Sequence, residues 1–511
     1  MAAPLRHPLI LLACAAMLAI YLPLAPALAM LLTPALYGDN WRALFADAQF
    51  WQSLTATLVS TTLAVVGALA IALSSVAALW PGASWQRLSA RLPLLLAIPH
   101  VAFATAVLLL FADGGVVYRL LPFVSAPYDR YGIGLGITLA VKESAFLLWV
   151  IYGVLRSQTL SQQATVLQSL GYGRGQTLWW LIVPAIAPTL AAVSLAIAAW
   201  SVSVVDVAII LGPGNPPTLA VLSWQWLNQG DALQQAKGLL ACLLLSGLLG
   251  LYAGVGYAMW RVWRRVVPTF SGVRRPSQIR WPGVSLAVLL PLCGVLCSLL
   301  LVVIAADASL RPDLLSTSLT LALGSSGVAL VVSLLWLEAG LLRFSRWIWL
   351  PIALPALPLA VGQYRVALML GIDGEYGAIL WGHLLWVVPW MLLVLQPAWQ
   401  RLDARQMLVA RTLGWSRIRI FYRLKLPLLI RPGLAALAVG FSVSIAQYMP
   451  TLWLGAGRFA TFTTEAVALS SGGGSSALAG QALWQLLLPA LFFALTAYGS
   501  RRAGDYRQGL R

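Results

Sequence analysis

Four polar side chains that could act on a solute or a proton stand inside long apolar runs of this 511-residue sequence. Lys142 and Glu143 lie in AVKESAFLL, Asp206 lies in SVSVVDVAII, and Gln447 lies in SIAQYMP. Ionisable groups within an apolar helix are costly, so they are candidates for a translocation path across a membrane. The alternative is that these side chains join neighbouring helices by hydrogen bonds. Residue type alone leaves both interpretations open.

Other kinds of chemistry find little support. Nucleotide hydrolysis needs a phosphate-binding G-x-x-x-x-G-K-[ST] loop, and none of the three lysines, Lys142, Lys237 and Lys425, stands in one. No constellation of His, Cys or paired carboxylates indicates an enzyme, and the four cysteines fall in apolar runs that favour packing over metal binding. His100 is isolated and is interpreted as structural, and Glu338 as an interfacial residue. We expect no catalytic site, metal or cofactor.

The elements that must position these side chains are apolar helices. Hydrophobic residues make up 60% of the chain and charged residues 9%, against about 25% charged in soluble proteins. A bilayer core takes about 20 apolar residues of helix. The sequence therefore predicts an all-α polytopic membrane protein with about 12 transmembrane helices. The expected spans are 7–32, 54–80, 92–112, 132–155, 184–211, 235–260, 284–306, 315–341, 349–371, 377–396, 427–450 and 477–499.

The charge distribution orients these helices. Of the 33 Lys and Arg residues, 25 fall in alternate segments between or beyond the spans, and those segments hold only two of the 15 acids. Membrane proteins keep such basic segments in the cytoplasm, so both termini are expected there. The net charge of +18 is then accounted for without a basic patch for nucleic acid.

The N-terminal run admits two interpretations. Residues 1–29 have a basic start, an apolar run and the letters APALA, as in a cleavable signal peptide. However, the run continues through Leu32, and an even number of spans agrees with the loop charges. A retained first helix is therefore favoured.

One motif occurs twice, with its glycines 243 residues apart. LGYGR and LGWSR are each followed by a proline thirteen residues after the first glycine. This repeat predicts two tandem six-helix halves, 1–260 and 284–511, joined by an Arg-rich cytoplasmic linker, 261–283. The repeated positions are Leu170, Gly171, Tyr172, Arg174, Pro184, Leu413, Gly414, Trp415, Arg417 and Pro427.

Each copy is expected to have structure of its own at the membrane surface. A helix-compatible run, ATVLQSL or QMLVARTL, meets a glycine that permits a sharp turn. A second short helix should follow, and a proline should start the next span. Such a surface fits either a protein partner or anionic membrane lipid held by the cations. The constant spacing of glycine and proline favours partner docking.

The two loops resemble the cytoplasmic EAA loop of permease subunits of binding-protein-dependent ABC importers. In that family E-A-A, three residues, G and a later L-P form the helix that docks into the ATPase subunit. Two such loops in one double-length chain look most like the iron(III) and thiamine type permeases. The resemblance implies a channel-forming subunit in the bacterial inner membrane, two copies of an ATPase subunit, a periplasmic or lipid-anchored solute-binding protein and a small-molecule substrate.

The sequence departs from the family pattern in both loops. The acidic residue is missing twice, and the first copy has V-P where L-P is usual. Docking is therefore expected to depend on shape and on apolar and Arg contacts. The residues in place of E-A-A are Thr165, Val166 and Leu167 in the first copy and Leu408, Val409 and Ala410 in the second.

The alternative function is an ion-coupled secondary transporter with twelve helices, in which Glu143 and Asp206 would carry protons. Against it, PGASWQRLSAR, between the second and third spans, lacks the G-x-x-x-D-R-x-G-R-R signature of the major facilitator group. The mechanism of a secondary transporter also does not require the two long repeated loops.

Overall fold

A computed structural model describes residues 6–22, 24–121, 123, 128–266 and 283–508. Within these ranges all regular structure is helical. The helices before the linker are α1 (Arg6–Tyr21), α2 (Leu24–Leu32), α3 (Gly38–Phe45), α4 (Phe50–Leu79), α5 (Ala83–Leu96), α6 (His100–Phe111), α7 (Val116–Leu120), α8 (Ile133–Leu155), α9 (Gln158–Ser169), α10 (Arg174–Thr177), α11 (Val183–Ser203), α12 (Asp206–Leu211), α13 (Leu219–Leu227) and α14 (Ala232–Val266). Those after it are α15 (Gly283–Ile304), α16 (Pro312–Ala339), α17 (Leu350–Ala353), α18 (Ala356–Leu370), α19 (Tyr376–Gln400), α20 (Ala404–Thr412), α21 (Arg417–Ile420), α22 (Leu426–Ile445), α23 (Met449–Leu454), α24 (Phe462–Leu469) and α25 (Ser475–Gln508).

The described residues contain 11 helices long and apolar enough to cross a membrane. A further pair, Arg346–Ala353 and Ala356–Leu370, meets at an angle of 109° and raises the number to 12 if counted as one broken span. The predicted all-α polytopic membrane fold with about 12 helices is confirmed.

Several spans are broken, which the sequence did not predict. α5 and α17 each end shortly before a proline, Pro99 or Pro355, that precedes the first residue of the next helix. The residue before a proline is disfavoured in the helical region, so these helices stop there. The backbone is likewise extended at Val204, between α11 and α12, and leaves the helix at 446–448, between α22 and α23.

The predicted spans 184–211 and 427–450 begin too late, whereas their expected ends fall in α12 and α23, after the breaks. The continuous helices run from Arg174 to Ser203 and from Arg417 to Ile445. Each begins about three turns earlier than expected, because Pro184 and Pro427 lie inside the helix instead of starting it.

The first span of each half packs on the opposite half. α1 lies against α16 and α19, and α15 lies in the same way against α4, α5 and α6. The Tyr21 hydroxyl donates to the Ile348 carbonyl (3.0 Å), and the Trp381 indole N–H donates to the Ala19 carbonyl (2.9 Å). These contacts attach α1 to the second half.

Most of the expected linker, 267–282, lies outside the described residues. α14 continues through 261–266, into the segment assigned to the linker. We call residues 1–260 the first half and residues 284–511 the second half.

Candidate functional site

The first repeated loop consists of α9, a glycine turn and the start of the next span. Gly171 has a φ of +86°, which disfavours any residue with a Cβ. Its N–H donates to the Gln168 carbonyl (3.0 Å), and the Tyr172 N–H donates to the Leu167 carbonyl (3.1 Å). These two bonds form a Schellman motif, which ends α9 and reverses the chain.

The second loop repeats this geometry at the matching positions. Gly414 has a φ of +77°. Its N–H donates to the Arg411 carbonyl (3.0 Å), and the Trp415 N–H donates to the Ala410 carbonyl (3.0 Å). The turn after each surface helix, expected from the glycine, is therefore present in both copies. Ser416 adds a cap to the next helix by accepting the Arg419 N–H.

Both loops present the same two apolar side chains to their surroundings. Val166 and Leu170 are 56% and 46% exposed in the first loop. Val409 and Leu413, at the matching positions of the second loop, are 56% and 70% exposed. Four large apolar side chains that remain uncovered at equivalent places indicate a surface completed by something outside the chain. We call Val166, Leu170, Val409 and Leu413 the docking pairs.

The loops are attached to the second long span of each half by their arginines. Arg174 donates from Nη1 to the Ala78 carbonyl (2.6 Å), close to the C-terminal end of α4. Arg417 donates in the same way to the Glu338 carbonyl, close to the C-terminal end of α16, and also from Nε to the Glu338 carboxylate (2.9 Å). Carbonyls at a helix C-terminus lack intrahelical partners, so each arginine supplies one.

A π-helical turn joins each loop to its span, where the sequence predicted a separate short helix. The turns cover Leu178–Ile182 and Phe421–Lys425 and continue directly into α11 and α22. A proline lacks the N–H of a regular helix, and a local π turn lets the freed carbonyls find other partners. The loop and the span are consequently one continuous helix from Arg174 or Arg417 onward.

The broken spans of the two halves meet each other. The Ala356 N–H, at the start of α18, donates to the Ser203 hydroxyl at the end of α11 (2.8 Å). One buried apolar cluster contains residues of both halves that lie at three of the breaks or directly after them. These residues are Val204, Leu357 and Tyr448. The breaks therefore lie at the boundary between the halves, where a translocation path would be closed by apolar side chains.

Two of the predicted path residues lie close to this boundary. Glu143 is buried on α8, and its Oε1 lies 2.7 Å from Nε2 of His100, the first residue of α6. The His100 ring in turn packs on Trp200, with ring centroids 5.1 Å apart. Asp206 is buried at the first position of α12, which follows the break at Val204.

The other two predicted path residues bind backbone carbonyls. Lys142 donates from Nζ to the Leu95 carbonyl (2.6 Å), so it does not pair with its neighbour Glu143. Gln447 donates from Nε2 to the His383 carbonyl (3.2 Å), and its Oε1 is buried with no partner among the described residues. Bonds of this kind are what the helix-joining interpretation predicts.

His383 lies at the centre of a buried hydrogen-bond network in the second half. Its Nδ1 lies 2.8 Å from the Ser444 hydroxyl, and its Nε2 lies 2.9 Å from the Thr451 hydroxyl. Ser325 on α16 donates to Ser444 (2.8 Å). This network fastens the break between α22 and α23 to α19 and α16. No three His, Cys, Asp or Glu side chains converge to hold a metal ion in the described part of the chain.

Sequence reasoning missed two of these contacts. His100 was expected to be isolated, but it pairs with Glu143; its position directly after Pro99, where a span breaks, was the available signal. Glu338 was expected to be merely interfacial, but it binds the second loop. Glu338 and Arg417 are 79 residues apart, so no local signal in the sequence indicated that partner.

No protein-family model matches the chain. Over 511 residues, which are 100% of each chain, it is 61% identical to the inner membrane ABC transporter permease protein YnjC of Escherichia coli (strain K12). That similarity favours the ABC permease over the ion-coupled alternative, and it agrees with the multi-pass helical fold in the inner membrane. The chain belongs to the inner-membrane ABC transporter permeases.

Proposed function

We propose that the two repeated loops are the docking sites for two ATPase subunits, whose nucleotide-driven closure moves the helices of this channel-forming permease. The observation that carries the proposal is the equivalent exposure of the two docking pairs on loops of identical backbone geometry. A pair of similar sites suits two copies of one partner. Nucleotide hydrolysis would take place on those separate subunits.

A purely lipid-binding role explains the first loop poorly. Helices that lie on anionic membranes combine an apolar face with Lys and Arg. α9 exposes Val166 but contains no Lys or Arg, so it lacks the electrostatic part of that interaction. The second loop does carry cations, among them Arg405 and Arg411. Because the apolar pair is common to both loops and the charge is not, the apolar pair supports docking.

The helix-loop-helix geometry supports a mechanical coupling. The two residues of each docking pair stand five residues and one residue before a glycine turn. The turn is followed by a continuous helix that leads to a break at the boundary between the halves. A displacement of α9 or α20 would therefore be transmitted to the breaks. Glu143 and Asp206, which lie there, are the proposed solute-contacting residues, whereas Lys142 and Gln447 are proposed to hold the adjoining helices.

The remaining partners are also part of the proposal. The loops that follow α12 and α23 begin with GPG and GAG and lie at the opposite ends of the spans from the docking pairs. They would meet a solute-binding protein outside the membrane. A small molecule would be delivered there. The name of the E. coli relative gives no solute, so the iron(III) and thiamine type stays a prediction.

Charged substitutions in the docking pairs test the proposal. Leu170→Glu combined with Leu413→Glu should reduce co-purification of the ATPase subunit at least about tenfold, because each buried leucine contributes about 1.5–3 kcal/mol to such an interface. The matched control is Leu233→Glu combined with Leu310→Glu, since Leu233 and Leu310 are similarly exposed, at 46% and 43%, but lie at the opposite ends of the spans.

The control variant should retain the ATPase subunit at the wild-type level. If the Leu170→Glu, Leu413→Glu variant also retains it, the docking pairs are not the ATPase contact. Equal loss in both variants would indicate damage to the fold and would equally count against a specific docking role.

A further inference from the structure

We propose that Glu338 is a positioning residue that fixes the second docking loop to α16, so that the two loops transmit motion differently. The inference rests on the proposed docking function of the loops. It starts from an ion-pair network that occurs at the second loop and is absent from the described contacts of the first.

Both carboxylate oxygens of Glu338 are engaged by the second loop. Oε1 accepts from Arg417 Nε at 2.9 Å, and Oε2 accepts from Lys425 Nζ at 2.6 Å. Arg417 also donates to the backbone carbonyl of Glu338. The Glu338 side chain is only 9% exposed, and the Lys425 ammonium lies 4.7 Å from the centre of the Trp399 ring. The network thus links α16 and α19 to the start of the span that carries the loop.

The π turn is what brings both cations to one carboxylate. Arg417 and Lys425 are eight positions apart, which in a regular helix places them about 80° apart around the axis. The π turn at Phe421–Lys425 takes up an additional residue, so the two side chains return to nearly the same face. The helix irregularity required by Pro427 therefore also creates the binding geometry.

The first loop keeps the arginine contact and lacks the ion pairs. Arg174 binds the carbonyl of Ala78, which stands one residue before the end of α4, as Glu338 stands one residue before the end of α16. The side chain at the position matching Glu338 is thus the methyl group of Ala78, which cannot accept a hydrogen bond from Arg174. The position matching Lys425 is Ile182, which is buried. At the matching positions, Arg174 donates to one carbonyl, whereas Arg417 and Lys425 together make three contacts with Glu338.

This asymmetry has a mechanical consequence. A carboxylate that is 9% exposed and paired with two cations resists separation from the loop more than a single part-buried hydrogen bond to a carbonyl does. Force applied to α20 should therefore move α16 and α22 together, up to the break that His383 also holds. Force applied to α9 passes mainly along the helix that begins at Arg174. The second half would respond as a unit, and the first half through one helix.

Hydrogen exchange of the intact complex with its ATPase subunits tests the proposal, and Glu338→Gln is the test variant. Glutamine keeps the size of the side chain but loses its charge, so exchange in 415–425 should rise at least about fivefold while 172–182 stays unchanged. Glu338→Asp should give an intermediate value. The control is Glu465→Gln, because Glu465 pairs with Arg311 (3.5 Å) at the opposite end of the spans.

A second measurement distinguishes a positioning role of Glu338 from a role in stability alone. Trapping the wild-type complex with ATP and vanadate should change exchange at both breaks, 204–211 and 446–454. In Glu338→Gln the change at 446–454 should be lost and that at 204–211 kept, with the ATPase subunit still bound. An unaltered response at 446–454, or loss at both breaks, would overturn the proposal. If no ATPase subunit binds even the wild type, the docking function fails, whereas the exchange of 415–425 still reports on the network.

Discussion

Replacing Gly171 and Gly414 together by valine is expected to eliminate most of the ATPase binding by this permease. Both glycines have positive φ values, +86° and +77°, and a β-branched residue in that conformation costs about 1–2 kcal/mol or more. The loops lie at the surface, so the chain can escape the strain by ending α9 and α20 differently. The docking pairs would then point elsewhere. Co-purification with the ATPase subunit should fall at least about tenfold.

The chain contains a matched control for this substitution. Gly371 ends α18 with a φ of +64° and makes the same pair of backbone bonds, from its own N–H to Leu368 and from the Ile372 N–H to Ala367. It lies at the end of its span away from the docking loops. Gly371→Val should leave ATPase binding unchanged despite equal strain. Asparagine tolerates the left-handed region, so Gly171→Asn with Gly414→Asn should restore part of the binding. Full binding by the double valine variant would show that the turn geometry is dispensable.

Deleting residues 1–36 is expected to destabilise the second half more than the first. Met17 and Ile20 of α1 are buried with Trp336 of α16 and Leu385 of α19. Inside a bilayer, helices associate through such close packing and through hydrogen bonds, both of which the deletion removes. The detergent-solubilised protein should lose at least about 5 °C in melting temperature.

The location of the damage distinguishes the loss of α1 packing from a general loss of stability. Hydrogen exchange should rise more in α16 and α19, which α1 contacts, than in α8. Trp381→Phe, which removes only the bond to the Ala19 carbonyl, should produce a small shift in the same direction. A deleted protein with wild-type melting and exchange would mean that α1 contributes nothing to the fold.

The loops were predictable because their signals are local. A glycine that ends a helix, and a proline at a fixed distance beyond it, act on the backbone within a few residues. The Schellman turns at Gly171 and Gly414 follow from that alone. The same proline misled the prediction of the span boundary, since a proline near a helix start and a proline inside a transmembrane helix look alike in sequence. The π turns distinguish the two kinds of proline, and they depend on the whole helix instead of on a few neighbouring residues.

The contacts between distant segments were not predictable in this way. Lys142 and Glu143 point about 100° apart on one helix, so separate partners were expected and are found. Their identities, the Leu95 carbonyl and His100, depend on how α5 and α6 break around Pro99. The exchange of first spans between the halves leaves no periodic signal either, because all faces of those helices are apolar. Tertiary packing decided both features.

The most direct test of the central claim is the accessibility of the docking pairs from each side of the membrane. Val166→Cys and Val409→Cys would be placed in a chain whose native Cys14, Cys242, Cys293 and Cys297 are replaced by alanine. A membrane-impermeant maleimide should label both positions in inside-out vesicles and neither in intact spheroplasts. Bound ATPase subunit should slow the labelling at both positions at least about fivefold. Labelling of either position from the outer side, or unchanged labelling in the presence of the ATPase subunit, would contradict the account.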